Sequence, residues 1–237
     1  MKALLKELPS LQAALNAKLG PTPTTVSPDL VDAYIRAIQR KCSFASQHLC
    51  VLKGINWDSV QDLGRTNAEV TKLTVTLEDG MLELRHPAAV ADHVYLAFDG
   101  AVAAVANMTD TYGRLINAVY GLSIPQHKAS LLAVRDKCTL TSALGQILHD
   151  PQHTEWLKKV REVRGQCQHE AVEDVLLSPR GAFARRAQPL VPLSFCWLTP
   201  QVDIPASVFA KNAADSVVST LVAATRAVVA NTANPIT

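Results

Sequence analysis

One apolar stripe constrains this chain more than any other feature. Val94, Phe98, Ala101, Val105, Met108, Tyr112, Leu115 and Val119 follow one another at spacings of 4, 3, 4, 3, 4, 3 and 4. In a helix of about 3.6 residues per turn, this spacing keeps all eight side chains on one face. The flanking residues predict a helix from about Pro87 to Tyr120, roughly 50 Å long at about 1.5 Å per residue. A rod of that length with a greasy face must be the spine of a bundle. Gly100 and Gly113 lower its intrinsic helicity and leave room for a neighbouring helix to approach closely.

Other segments repeat the pattern. Val31, Ile35, Ile38, Cys42, Ala45 and Leu49 lie on one seam of a helix that Ser27 caps, Pro28 opens and Val51 roughly ends. Ala210, Ala214, Val217, Leu221, Ala224 and Val228 predict a last helix from near Pro205 to about Asn231. Trp156, Val160, Val163 and Cys167 mark a helix opened by Asp150 or Pro151. A further helix is expected over about Gln126 to Leu148, with Leu131, Val134 and Cys138 on one seam and Leu140, Leu144 and Ile147 on another. The change of seam predicts a kink or break near Thr139–Leu140–Thr141. Lys2 to Leu19 reads as a short helix interrupted near Pro9, and Gly20 to Thr25 as a linker with two prolines.

Two segments carry a β signal. Apolar residues alternate over Leu73–Leu77 and Met81–Leu84 on either side of Asp79-Gly80, which predicts a β-hairpin. A short helix competes, because Leu77, Met81 and Leu84 also fit a 4, 3 spacing. Residues 190–198, with Pro189 and Pro192, read as an edge strand. The expected fold is therefore mainly α: an antiparallel four- to five-helix bundle with a small β-hairpin and edge-strand element near 72–85 and 190–198. Residues 1–26 form an N-terminal helical extension and linker, and 27–237 form the bundle domain.

Composition narrows the function. The 237 residues are 48% hydrophobic, enough for a sizeable core, and carry a net charge of only +2. No basic face points to duplex DNA. The N-terminal apolar run breaks too early for a signal peptide. Ser216 to Ala230 is interrupted by Thr220, Thr225 and Arg226 and is shorter than the roughly 20 apolar residues that span a bilayer. Five scattered cysteines without a CxxC pair indicate neither a disulfide framework nor a zinc knuckle. A cytoplasmic protein with reduced thiols and no membrane partner is expected.

No P-loop, GxGxxG, HExxH or GxSxG pattern occurs, and neither a metal nor a cofactor is expected. His149 and His153, with Asp150 and Glu155, have i, i+4 metal-ligand spacing. Pro151 breaks that register, so a solvated helix start is the favoured reading. Arg180, Arg185 and Arg186, with Phe183 between them, could hold an RNA backbone, because arginine forks bind phosphate. A solvated loop competes. Asn107, Asp110, Arg114 and Asn117 form a polar stripe on the spine helix: a substrate-facing surface, or a solvated face held by an Asp–Arg pair. Trp156 and Trp197 could stack on bases, although packing suits both.

The run Arg164-Gly165-Gln166-Cys167-Gln168-His169, near the end of a helix in a helical chain, resembles the R-x(4–6)-H signature of HEPN domains. The resemblance covers about residues 90–230, in helix order more than in residue identity. It implies an α-helical protein of a bacterial or phage-related defence or toxin system. Many members of that family are metal-independent endoribonucleases, and others only bind or assemble. Carried onto this chain, His169 is the general acid/base and Arg164 holds the scissile phosphate. Asn107, Asp110, Arg114, Arg185 and Arg186 are the candidate substrate contacts. The resemblance also implies RNA as partner and a homodimer in which two motifs meet. The rival expectation is a non-catalytic bundle acting through protein–protein assembly, with the last helix or the spine as interface. A small-molecule-binding bundle is a third.

Overall fold

A computed structural model describes residues 1–19, 26–54, 73–77, 80–84, 87–169, 175–177, 183–185 and 206–237; for 73–95, 166–169, 175–177, 183–185 and 206 it describes at most the backbone. The protein is mainly helical. Its helices are α1 (Lys2–Leu19), α2 (Pro28–Gly54), α3 (Pro87–Tyr120), α4 (Leu131–Arg135), α5 (Ala143–His149), α6 (Pro151–His169) and α7 (Ala206–Ala230). Strand β1 (Leu73–Leu77) pairs antiparallel with β2 (Gly80–Leu84), with Leu73 opposite Leu84 and Leu77 opposite Gly80. A second ribbon pairs β3 (Val175–Leu177) with β4 (Phe183–Arg185). The expected edge strand at 190–198, Trp197, and the linker residues 20–25 lie outside the described residues.

The chain divides into two compact units: residues 1–43, 104–161 and 213–237, and residues 44–103 and 162–212. In the first, Leu4, Leu8, Leu11 and Leu15 of α1 are fully buried, as are Val31 and Ile38 of α2, Met108, Tyr112 and Leu115 of α3, and Val217, Leu221 and Val228 of α7. Pairings fix the helix directions. Cys42 Sγ lies 3.3 Å from Met108 Sδ, and Gln126 beyond α3 donates to Tyr34 OH at 3.0 Å, so α2 runs against α3. Tyr112 OH meets Thr225 Oγ1 at 3.2 Å and Tyr120 OH donates to the Thr232 carbonyl at 3.0 Å, so α3 and α7 run the same way. Arg226 donates to Glu7 Oε1, and Lys18 donates to the Ala233 carbonyl at 2.7 Å, so α1 runs with α7.

Several sequence expectations are corrected here. Helix α1 is continuous, with Pro9 inside it. A proline within a helix costs about 3 kcal/mol. Pro9 is exposed, and the leucines on the opposite face are fully buried, which offsets that cost. The helix expected over 126–148 breaks around Thr139–Leu140–Thr141, as the change of seam predicts, but leaves only two short helices, each started by a serine side chain: Ser130 accepts from Ala133 N and Ser142 from Gly145 N. Leu140, expected on a seam, is 70% exposed. The C-terminal tail takes over its part: Thr139 N donates to the Ile236 carbonyl and Leu144 N to the Pro235 carbonyl, both at 2.9 Å, and Ile236 is buried. On α2, Leu49 is only half-buried and Leu52 is buried instead. Finally, α7 has one stretch, Ser207–Ala230, long and apolar enough to cross a membrane, where the sequence reading found none; half of it is buried within the protein.

The expectation of a closely approaching helix holds at Gly113. At Gly113 a Cβ would lie 2.1 Å from the Ser130 carbonyl carbon, so only a bare backbone admits the start of α4. At Gly100 the neighbour is a side chain, His48 of α2. The second unit also packs Ala97, Phe98, Ala101, Val163 and Phe209, with the rings of Phe98 and Phe209 6.0 Å apart.

Candidate functional site

The second unit gathers three ionisable side chains from three helices. Position 48 lies near the end of α2, position 99 in the first half of α3, and position 164 near the end of α6. His48 rests on the spine: a Cβ at Gly100 would come within 2.5 Å of its Cε1 and Nε2 and 2.8 Å of its Cδ2. The Nε2 end of the imidazole therefore faces bare backbone, one residue from Asp99. A side chain at position 100 would deny it that seat.

Asp99 is half-buried, and its Oδ1 is shielded from solvent without a hydrogen-bond partner. Burial pushes its carboxyl above the ordinary 3.8; the positive charges of His48 and Arg164 oppose the shift without cancelling it. The carboxylate thus feels an imidazole and a guanidinium together. His48 and Arg164 are both partly exposed, so both can be approached from solvent. Such a trio can hold an anion at the guanidinium and exchange a proton at the imidazole.

Other candidates fall elsewhere. Helix α6 runs unbroken through Gly165 to position 169. Positions five apart in a regular helix lie about 140° apart around the axis, so Arg164 and His169 do not share a face of one helix. The His169 side chain lies outside the described residues. So does Arg186; Arg185 ends β4, with its side chain outside the description. Asn107, Asp110 and Arg114 are half-buried and belong to the first unit, whereas Arg164 belongs to the second. The Asn107 carbonyl accepts from Thr111 Oγ1 at 2.7 Å, and Arg114 Nε is buried without a hydrogen-bond partner. Asn117, read as part of the same stripe, is structural: its side chain donates to the Ile124 carbonyl at 2.9 Å and accepts from Ile124 N at 3.1 Å, closing the turn after α3.

The His149–Glu155 cluster resolves into capping and packing. Asp150 Oδ1 accepts from Gln152 N at 2.9 Å at the start of α6. Thr220 Oγ1 donates to the Ser216 carbonyl, so it accepts the Nδ1 proton of His153 across 2.9 Å. Among the described residues no group of three or more His, Cys, Asp or Glu side chains could hold a metal. An open cleft of about 370 Å³ is lined by Arg135, His149, Thr154, Glu155 and Lys158. Its charges are partly spent, since Arg135 pairs with Asp136 and Glu155 with Lys159. Lys159 also lies over the Trp156 ring at 5.1 Å. The buried Cys42 and half-buried Cys138 thiols are each pushed up to about 11 by burial, which leaves both poor nucleophiles.

Sequence reasoning singled out Arg164 but missed His48 and Asp99. His48 sits next to the seam residue Leu49, and Asp99 follows Phe98 on the spine stripe. A polar residue beside an apolar seam, adjoining a mid-helix glycine on the other rod, was the available signal. No protein-family model matches this chain, and neither a curated protein nor a solved structure matches it.

Proposed function

We propose that this chain is a HEPN-like helical protein of a bacterial or phage-related defence or toxin system, and that it cleaves RNA without a metal. On this reading the architecture is a bundle of four or five helices with a small β element, in which α1, α3 and α7 run the same way and α2 runs against α3 instead of the expected antiparallel order throughout; the working form is a homodimer, and the compartment is the cytoplasm. Arg164 holds the scissile phosphate with its planar fork of donors. His169 transfers a proton. Arg185 and Arg186 add backbone contacts to the RNA.

One observation carries the reading: Arg164 shares its electrostatic surroundings with a carboxylate and an imidazole, Asp99 and His48. Those side-chain types suffice for phosphodiester cleavage without a metal. The unbroken run of α6 supports the dimer, because one helix cannot bring positions 164 and 169 to the same face.

The test is incubation with single-stranded and structured RNA in EDTA. The wild type should yield fragments ending in a 2′,3′-cyclic phosphate. Arg164→Ala should remain folded and lose roughly 10²- to 10³-fold in rate, as removal of one charge-stabilising donor does. Intact RNA with the wild type overturns the proposal.

A second reading is a non-catalytic bundle that assembles with another copy of itself. It is favoured by Asp99, whose charge competes with phosphate for Arg164, and by Leu96 and Val208, which are 62% and 44% exposed in the second unit. Light scattering that reports a dimer, together with intact RNA, would select it.

A further inference from the structure

The segment that follows α7 is held in the first unit through its main chain. The Ala233 carbonyl accepts a hydrogen bond from Lys18 Nζ on α1 at 2.7 Å. The Pro235 carbonyl accepts from Leu144 N and the Ile236 carbonyl from Thr139 N, both at 2.9 Å. Asn234 N donates to the Asn231 carbonyl at 3.1 Å, which turns the chain back across the linker between α4 and α5. Side chains anchor it at two positions: Pro235 and Ile236 are buried, whereas Ala233, Asn234 and Thr237 are exposed. A proline is suited to such a seat, because it brings no backbone N–H that burial would leave unpaired.

Both neighbours of this segment are complete without it. Helix α7 is closed by residues before position 233: Thr232 Oγ1 donates to the Val228 and Val229 carbonyls at 3.2 and 3.0 Å, and Asn231 N to the Ala227 carbonyl at 3.1 Å. Tyr120 OH fixes Thr232 in turn, by donating to its carbonyl at 3.0 Å. The α4–α5 linker makes its own turns. Ser142 N and Ser142 Oγ donate to the Thr139 carbonyl at 3.2 and 2.8 Å, and Cys138 N donates to the Arg135 carbonyl at 3.0 Å. A few hydrogen bonds and two buried side chains are set against the backbone entropy of the residues they order, a near balance. Segments in that balance open locally while the core stays folded.

We propose that residues 233–237 are a detachable latch that pivots at Thr232, closes over the α4–α5 linker and lifts as a unit while the helices stay folded. Lifting bares the Thr139 and Leu144 amides and the seat of Ile236. These form a standing groove whose occupant is this segment: two main-chain carbonyls for the two amides, and the Pro–Ile pair for the seat. The device lies wholly in the first unit and stands apart from the RNA-cleaving reading.

The experiment is native-state hydrogen exchange by NMR on the full chain, wild type and Ile236→Asp, with thermal melting of both. In the wild type the Thr139 and Leu144 amides should exchange together, about tenfold or more faster than those of Leu115 in α3 and Leu221 in α7. Ile236→Asp should still melt cooperatively, with those two amides faster by a further tenfold or so, about the loss of one buried anchor, and the helix amides unchanged. A synthetic peptide with the sequence of residues 231–237, added to Ile236→Asp, should slow both amides again; the same peptide carrying Ile236→Asp should not. Wild-type exchange at Thr139 and Leu144 only at the rate of the helix core overturns the latch, as does an Ile236→Asp chain that unfolds as a whole. A folded variant that neither peptide protects, or that both protect alike, overturns the groove.

Discussion

The imidazole of His48 lies against the bare backbone of Gly100, so close that a methyl group there would meet Nε2 at 2.5 Å. Neither residue is unusual in isolation. Together they set where an ionisable ring can sit beside Asp99 on the spine helix. The same helix carries a second glycine in contact with a different kind of neighbour, and the contrast gives two predictions.

At position 100 the obstacle is the end of a side chain, which can rotate away. Gly100→Ala should therefore stay within about 1 kcal/mol of the wild type in urea denaturation, because alanine's better helix propensity offsets the repacking. A loss of about 3 kcal/mol, as expected for a backbone obstacle, would show that the His48 ring cannot give way.

At position 113 the obstacle is backbone. An added Cβ would lie 2.1 Å from the Ser130 carbonyl carbon and 2.4 Å from Leu131 N. Backbone cannot swing aside without moving α4. Gly113→Ala should cost about 3 kcal/mol, the upper end for overpacking, against at most about 1 kcal/mol regained from propensity. The urea midpoint measures the difference. A neutral or stabilising result would mean that α4 does not start against α3.

Asp99 supplies a prediction about pH. Its folded-state pKa is raised above 3.8, first by burial, with His48 and Arg164 pulling the other way. A carboxyl raised in this manner binds its proton more readily in the folded state than in the unfolded one. Its contribution to stability is present below the ordinary carboxylate value and is lost as pH rises through the raised native value. Asp99→Asn removes that loss. The variant should be at least as stable as the wild type at pH 7, and its advantage should shrink as the pH falls below 4. Denaturation midpoints across that range decide it; a wild type that gains on the variant with rising pH has the opposite sign.

How far the residues alone could go is plain on the long helices. Phe98, Ala101, Val105, Met108, Tyr112, Leu115 and Val119 are buried as their spacing required, and so are Ala210, Ala214, Val217, Leu221, Ala224 and Val228 on the last helix. Periodicity is a local property, repeated over many turns, so it survives without knowledge of any partner. The same reasoning failed at Pro9, where the leucine stripe on the other face of α1 outweighs the break. It failed again at Leu140, which is exposed next to Thr139, a residue held by a carbonyl nearly a hundred residues onward in the tail.

Sequence by itself determined that this protein is made of amphipathic rods and which residues most of those stripes bury. Only the tertiary structure decided that His48, Asp99 and Arg164 share one environment, and that Asn117 closes a turn instead of lining a surface. The physical reason is range. A buried stripe is written in neighbours three and four residues apart, whereas a charge finds its counter-charge through space, across helices whose order along the chain says nothing of which polar side chains will meet.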